Sequence, residues 1–174
     1  IWKGNLLNGD GWLSRPIVSL TVPAEDPMVI YAVDSNGDIY QSRDGAATAG
    51  GWRPISLTLP VPARRIITGP RIRTLYVFAD DGLYVSLNAG TRWQKITPPE
   101  GSGKILEVMP DPKESNVFRI TTETGVYENK YRRAKDLGKY WAKVENEKAT
   151  VEPTAAIQFK HDDRGVLKST DGGA

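Results

Sequence analysis

Short apolar runs separated by glycine, proline and acidic turns set the rhythm of this chain. The clearest unit opens with Ile105-Leu106-Glu107-Val108-Met109, which reads as a strand, turns at Pro110-Asp111-Pro112 and returns through Asn116-Val117-Phe118-Arg119-Ile120-Thr121 as a second strand. Gly125-Val126-Tyr127 opens a third strand, and Trp141-Ala142-Lys143-Val144 is the fourth. Equivalent fourth strands read Trp52-Arg53-Pro54-Ile55 and Trp93-Gln94-Lys95-Ile96. The pairs that lead the third strands, Ile1-Trp2, Ile39-Tyr40, Leu83-Tyr84, Val126-Tyr127 and Val166-Leu167, recur roughly every 40 residues. The second-strand aromatics Tyr31, Tyr76, Phe118 and Phe159 keep nearly the same period, which places them at equivalent positions. With Gly 17 and Pro 12 the chain is cut too often for long helices, and only Tyr131–Lys139 is ambiguous. The pattern predicts an all-β protein of four-stranded antiparallel repeats, and that period fits a propeller blade better than a helical solenoid.

After each third strand comes a short box. It is most complete at Ser86-Leu87-Asn88-Ala89-Gly90-Thr91-Arg92-Trp93. Upstream, Ser42-Arg43-Asp44-Gly45 is followed by a delayed Trp52; downstream lie Gly138-Lys139-Tyr140-Trp141 and a terminal copy containing Ser169 and Asp171. Serine with Asp or Asn bonds the backbone two residues on, Gly supplies a positive φ, and Trp gives a small hairpin an apolar plug. The expected role of Ser42, Asp44, Trp52, Ser86, Asn88, Gly90, Trp93, Gly138, Trp141, Ser169 and Asp171 is therefore structural.

The Ser-x-Asp-x-Gly-x-x-Trp pattern resembles the Asp-box, or BNR, repeat family of β-propellers, over nearly the whole chain. Within that family the Gly-Leu-Tyr-x-Ser approach to the box is similar to photosystem II stability/assembly factors; sialidases, sortilin-type receptors and xyloglucanases are other members. The resemblance implies a single propeller segment over residues 1–174: a half blade at 1–17, blades at about 18–57, 65–96 and 105–144, and an incomplete blade at about 151–174. A family ring has six or more blades, so the chain is expected to be an arc of about four, an interior piece of something longer. A four-bladed ring closed by the terminal strands is the less attractive alternative, because Ile1–Lys3 would be a surplus strand.

Composition then narrows function. Lys+Arg 23 against Asp+Glu 21 leaves a net charge of +2, too balanced for a nucleic-acid binder, while 39% hydrophobic residues suffice for a core. No apolar run approaches the roughly 18 residues of a membrane span. With no cysteine and one histidine, disulfides and Cys- or multi-His metal sites are excluded, so no metal and no cofactor is expected.

Strand alternation places the boxes on one rim and gathers Asp34, Asp38, Asp80, Asp81, Glu123, His161, Asp162, Asp163, Arg164, Arg64 and Arg65 on the other. Glycoside hydrolysis there would need two facing carboxyls about 5–10 Å apart, or a tyrosine nucleophile with arginines as in sialidases. Phe118-Arg119-Ile120 superficially resembles the Phe-Arg-Ile-Pro signature of sialidases, but Thr121 replaces the proline. Asp34-Ser35-Asn36-Gly37 and Asp80-Asp81-Gly82 are ordinary turn formers, and His161 reads as a solvated turn residue.

Two basic clusters point instead to docking. Tyr127 and Trp141 lie further apart than Tyr84 and Trp93, so the third box is interrupted by an insertion, Lys130-Tyr131-Arg132-Arg133-Ala134-Lys135, that should project; Arg71 and Arg73 fall toward the same rim. The expected partner-binding residues are Arg71, Arg73, Lys130, Tyr131, Arg132, Arg133 and Lys135, because Arg and Tyr give bidentate bonds and broad contact area. The partner called for is a protein with an acidic surface, such as a membrane-complex subunit; carbohydrate is a second ligand class, and neither nucleic acid nor direct membrane insertion is expected. The leading expectation is a non-enzymatic interaction or assembly scaffold outside the cytoplasm (periplasmic, lumenal or secreted). The alternative is part of a sialidase- or xyloglucanase-like glycoside hydrolase.

Overall fold

A computed structural model describes residues 15–71 and 73–145, and beyond these the backbone of two strands, Gln158–Asp162 and Gly165–Ser169. Strands follow one another as antiparallel meanders. The first sheet, blade A, is β1 (Ile17–Thr21), β2 (Ile30–Asp34), β3 (Ile39–Ser42) and β4 (Arg53–Pro54). Blade B is β5 (Ala63–Thr68), β6 (Leu75–Ala79), β7 (Gly82–Ser86) and β8 (Gln94–Lys95). Blade C is β9 (Ile105–Pro110), β10 (Val117–Thr122), β11 (Gly125–Lys130) and β12 (Trp141–Lys143). Residues Glu145–Ala174 form a separate compact unit containing the hairpin β13 (Gln158–Asp162) and β14 (Gly165–Ser169). Among the described residues the helices are two short 3-10 turns, Ala49–Gly51 and Ala134–Asp136. The fold is an all-β arc of a β-propeller. The half blade expected at the N-terminus lies almost wholly outside the described residues.

Stacking explains why the second strands of blades A and B read as nearly continuous apolar runs. A sheet covered on both faces buries both sets of alternating side chains, and β2 is buried at all five positions. Tyr31 and Val33 of blade A meet Ile66, Leu75, Val77 and Tyr84 of blade B in one core. Tyr76, Leu83 and Val85 on the opposite face of blade B meet Val108, Phe118 and Ile120 of blade C in another. Tyr76 and Phe118 are tilted rings with centroids 5.5 Å apart, and Trp141 stands edge-on to Phe118 at 5.7 Å.

Register corrects one sequence expectation. Ile30 pairs with Ser42, Leu75 with Ser86 and Phe118 with Asn129. Phe118 is thus the counterpart of Leu75, and Arg119 is the counterpart of Tyr31 and Tyr76. The aromatic ring invited an alignment one residue off, whereas the two-residue turns at Asp80-Asp81 and Glu123-Thr124 set the true register through Ala79–Gly82 and Thr122–Gly125. Arg119 instead pairs across the strands with Glu128, Nε to Oε2 at 3.0 Å, which accounts for the arginine in that superficially sialidase-like tripeptide.

Blade-to-blade connections are close. A Cβ on Gly37, at φ 86, would fall 2.5 Å from Pro62 Cβ and 2.6 Å from Ala63 N, so only glycine fits where the linker passes the β2–β3 turn.

Candidate functional site

The box turns are built by serine. Ser42 Oγ accepts the Ala46 N–H at 2.9 Å and bonds Asp44 Oδ1 at 2.7 Å. Ser86 Oγ accepts the Gly90 N–H at 2.9 Å and bonds Asn88 Oδ1 at 2.9 Å. Asp44 and Asn88 then accept from the backbone of Thr48 and Arg92. The Thr48 and Ser42 hydroxyls hold the Asp44 carboxyl below its ordinary pKa. Each turn contains two successive residues at positive φ, Gly45 and Ala46 in the first, Ala89 and Gly90 in the second. Gly90 rests on Ile55 of the preceding blade, where a Cβ would come within 2.8 Å of its Cδ1. Trp93 is half-buried against the core between blades A and B. Trp52 is likewise half-buried.

The third turn keeps this logic through a residue the sequence reading missed. Asn129, fully buried, stands where Ser42 and Ser86 stand. Its Oδ1 accepts the Gly138 N–H at 3.3 Å and its Nδ2 donates to Tyr140 O at 2.8 Å. The available signal was Gly125-Val126-Tyr127-Glu128-Asn129 in phase with Gly82-Leu83-Tyr84-Val85-Ser86. Beyond it, Trp141 Nε1 donates to Thr97 O of blade B and to Gly138 O.

The insertion is anchored as well as projecting. Leu137 is buried in the core between blades B and C. Tyr131 is also buried, with 7% exposed, its hydroxyl donating to Ser115 O at 2.9 Å and its ring 6.4 Å from Phe118. Tyr131 is therefore a tether and not a contact offered to a partner, because the ring gains more by joining the aromatic cluster than by standing in water. Lys130 is exposed and bonded to Glu114. Arg132, Arg133 and Lys135 are exposed, Arg133 reaching Asp136 only at 4.0 Å.

Arg71 and Arg73 share this rim. The Arg73 carbonyl accepts the Ala89 N–H of the second box turn at 2.8 Å. Burial raises the pKa of the Tyr131 hydroxyl, and Arg71 is near enough to oppose that rise; Tyr31 is likewise raised by burial and opposed by its bond from Gln41, then by Arg43 and Arg73. Arg71, Arg73 and Arg132 are exposed and form no ion pair with a described carboxylate.

Toward the opposite rim several charges are paired. Arg64 holds Asp80 with two bonds of 2.7 and 2.8 Å, Arg65 meets Glu107 at 2.9 Å, and Lys95 meets Asp81 at 2.6 Å. Arg15 lies 3.4 Å from both Asp34 and Asp38. Buried Asp34 also accepts the N–H groups of Asn36 and Asp38 in its own turn. The Arg64 bond keeps Asp80 below its ordinary pKa, and the Lys95 and Tyr84 bonds do the same for Asp81. A glycosidase needs one carboxyl pushed upward to serve as general acid; these two are pushed the other way.

Among the described residues no group of three or more His, Cys, Asp or Glu gathers as a metal site, and no helix is long and apolar enough to cross a membrane. Asp163, Arg164 and Asp171 lie outside the described residues, and the side chains of His161, Asp162 and Ser169 lie outside them too.

No family model matches the sequence, and no curated protein matches it. Solved structures do. The fold is similar to YCF48 from Cyanidioschyzon merolae, with TM-score 0.52 and 19% identity over 74% of this chain and 36% of that one. A structure of YCF48 bound to D1 peptide gives TM-score 0.53 and 17% identity over 82% of this chain and 45% of that one. The GH74 enzyme of Niastella koreensis gives 0.52 and 20% over 76% and 24%. At such identities the likeness is one of fold. The chain spans less than half the length of each of these structures.

Proposed function

We propose that this chain is a segment of an Asp-box propeller, with the blade limits expected from its sequence, that acts as a non-enzymatic interaction or assembly module and docks an acidic protein partner on the rim of the box turns. The observation that carries this reading is the difference between the rims. Toward the far rim Arg64, Arg65 and Lys95 are each held by a carboxylate, whereas Arg71, Arg73 and Arg132 are exposed without such a partner among the described residues, and Arg133 and Lys135 are exposed on an anchored loop. Unmatched exposed charge raises encounter rates with an oppositely charged surface. That a propeller of this fold has been seen bound to D1 peptide supports a polypeptide of a membrane complex as the kind of partner, and an extracytoplasmic setting follows as part of the same proposal.

Likeness in fold to a GH74 enzyme keeps hydrolysis as the second reading. The lowered pKa values of Asp80 and Asp81, caused by their bonds to Arg64 and to Lys95 and Tyr84, favour the first. The test compares proteins retained from native extract by the wild-type chain, by Arg71→Glu with Arg132→Glu and Arg133→Glu, and by Arg64→Glu on the far rim. Loss in the triple variant alone is expected. Equal recovery by all three refutes docking, and release of reducing sugar from β-glucans or sialosides by the wild type, abolished by Asp80→Asn, establishes the hydrolase.

A further inference from the structure

Each blade ends on an outer strand, β4, β8 or β12, whose far edge pairs with no described strand. The amides of Ile55, Ile96 and Val144 donate inward to Ile39, Leu83 and Val126. Antiparallel alternation then puts the backbone nitrogen of the preceding residue, Pro54, Lys95 or Lys143, on the outer edge. Register agrees, since these three face Tyr40, Tyr84 and Tyr127. The edges differ in chemistry. Blade A is blocked, because Pro54 has no N–H, and proline is a common guard of edge strands. Blade B is short, and its Lys95 ammonium is folded onto Asp81. Blade C has the longer strand, retains the Lys143 N–H, and is flanked by exposed Arg132, Lys139 and Lys143, with Lys130 held by Glu114. An open cleft of about 430 Å³ lies alongside, lined by Glu128, Lys130, Lys139, Tyr140, Trp141 and Ala142. Tyr140 is 66% exposed, and the Glu128 charge is offset by Arg119.

We propose that the edge of β12 accepts an extended acidic peptide segment as an added strand, a carboxylate meeting Lys139 and an alternate apolar side chain lying against Tyr140. The proposal rests on the docking function above and specifies its mode. In strand addition the main-chain bonds supply affinity and the pockets for alternate side chains supply selectivity. A basic edge beside an aromatic wall selects carboxylates alternating with apolar residues.

The probe is an end-capped decapeptide alternating Glu and Val, with a second version N-methylated at every other residue, which keeps the charge and removes edge donors. Fluorescence anisotropy should show binding of the first peptide and at least ten-fold weaker binding of the second. Lys143→Pro should weaken the first peptide by a similar factor, while Lys143→Gln, which keeps the N–H, should bind within a few-fold of wild type. Pro54 shows that this register position accommodates proline. Equal binding of the two peptides to wild-type protein overturns strand addition, as does failure of the unmethylated peptide to bind at millimolar concentration. Arg132→Glu with Arg133→Glu separates the readings: if that variant loses the peptide and Lys143→Pro does not, strand addition fails and the charged docking rim stands.

Discussion

Replacing Asn129 by alanine removes the buried side chain that spans the third box turn. It strands the Gly138 N–H, now bonded at 3.3 Å, and the Tyr140 carbonyl, bonded at 2.8 Å. A buried group left without a partner costs about 1–3 kcal/mol. Gly138 is half-buried and Tyr140 exposed, so water recovers part of each loss and the low end applies. The expected destabilisation is about 2–3 kcal/mol, or about 5–10 °C in Tm for a chain of this size. Asn129→Ser should lose about half as much, since a hydroxyl is the acceptor that closes the two shorter turns, while the shorter side chain does not span both the Gly138 N–H and the Tyr140 carbonyl as the amide does. Urea melts give the energies, and limited trypsin digestion should show faster cleavage at Arg132 and Arg133 in the alanine variant. A stability change below about 0.5 kcal/mol with unchanged cleavage would show that Leu137 and Tyr131 hold the loop unaided.

Ala89 sits at φ 56, a left-handed conformation that costs a residue with a Cβ about 1–2 kcal/mol. Ala89→Gly should therefore stabilise by about 0.5–1 kcal/mol after the added freedom of the unfolded chain is subtracted; a loss of stability in urea melts would contradict the strain. Acid should act through Asp44, Asp80, Asp81 and Asp111, whose folded pKa values lie below their ordinary ones because of bonds to Thr48 and Ser42, to Arg64, to Lys95 and Tyr84, and to the backbone of Glu114 and Lys113. A lowered folded pKa gives stability that is present above the unfolded value and is lost as the pH falls through the folded one, so Tm should be level above about pH 5 and decline below about pH 4. Asp81→Asn should shallow that decline, and an unaltered acid limb would show that its bonds to Lys95 and Tyr84 contribute nothing.

The strands and their turns were legible because apolar runs, glycine positions and the serine of the box all report local geometry. Three features were not. Phe118 looked like the counterpart of Tyr76 because aromatic identity is conspicuous, whereas register follows the turn at Glu123-Thr124, which carries no striking residue. Asn129 was invisible because amide replaces hydroxyl and its backbone partner is displaced by the insertion. Tyr131 read as a contact residue because loops with several charges are usually solvated; its burial depends on Ser115 and Phe118, which only the fold brings alongside. The same limit hid the charge pairing of the far rim. Arg65 and Glu107 belong to different blades, and no local pattern announces their bond.

A repeat of this kind can acquire a projecting basic loop at small energetic expense. The turn from Asn129 to Gly138 contains nearly three times the intervening chain of that from Ser86 to Gly90, and loop closure makes the difference only about 0.9 kcal/mol. Burial of Leu137 and Tyr131 offsets it, since an apolar side chain taken fully out of water contributes about 1.5–3 kcal/mol. The consequence reaches function. Arg132 and Arg133 are held between Tyr131 and Leu137, so in the docking proposed above their backbone is already ordered before a partner arrives and less entropy is lost. Removal of Tyr131 anchoring by Tyr131→Ala should then weaken partner binding even though that ring touches nothing outside the protein. The effect should appear as a slower on-rate or a larger entropic penalty on binding, and restoration by Tyr131→Phe would isolate packing from the hydroxyl bond to Ser115. If Tyr131→Ala binds as tightly as wild type while cleavage at Arg132 and Arg133 accelerates, order in the loop contributes nothing to recognition and charge alone directs the encounter.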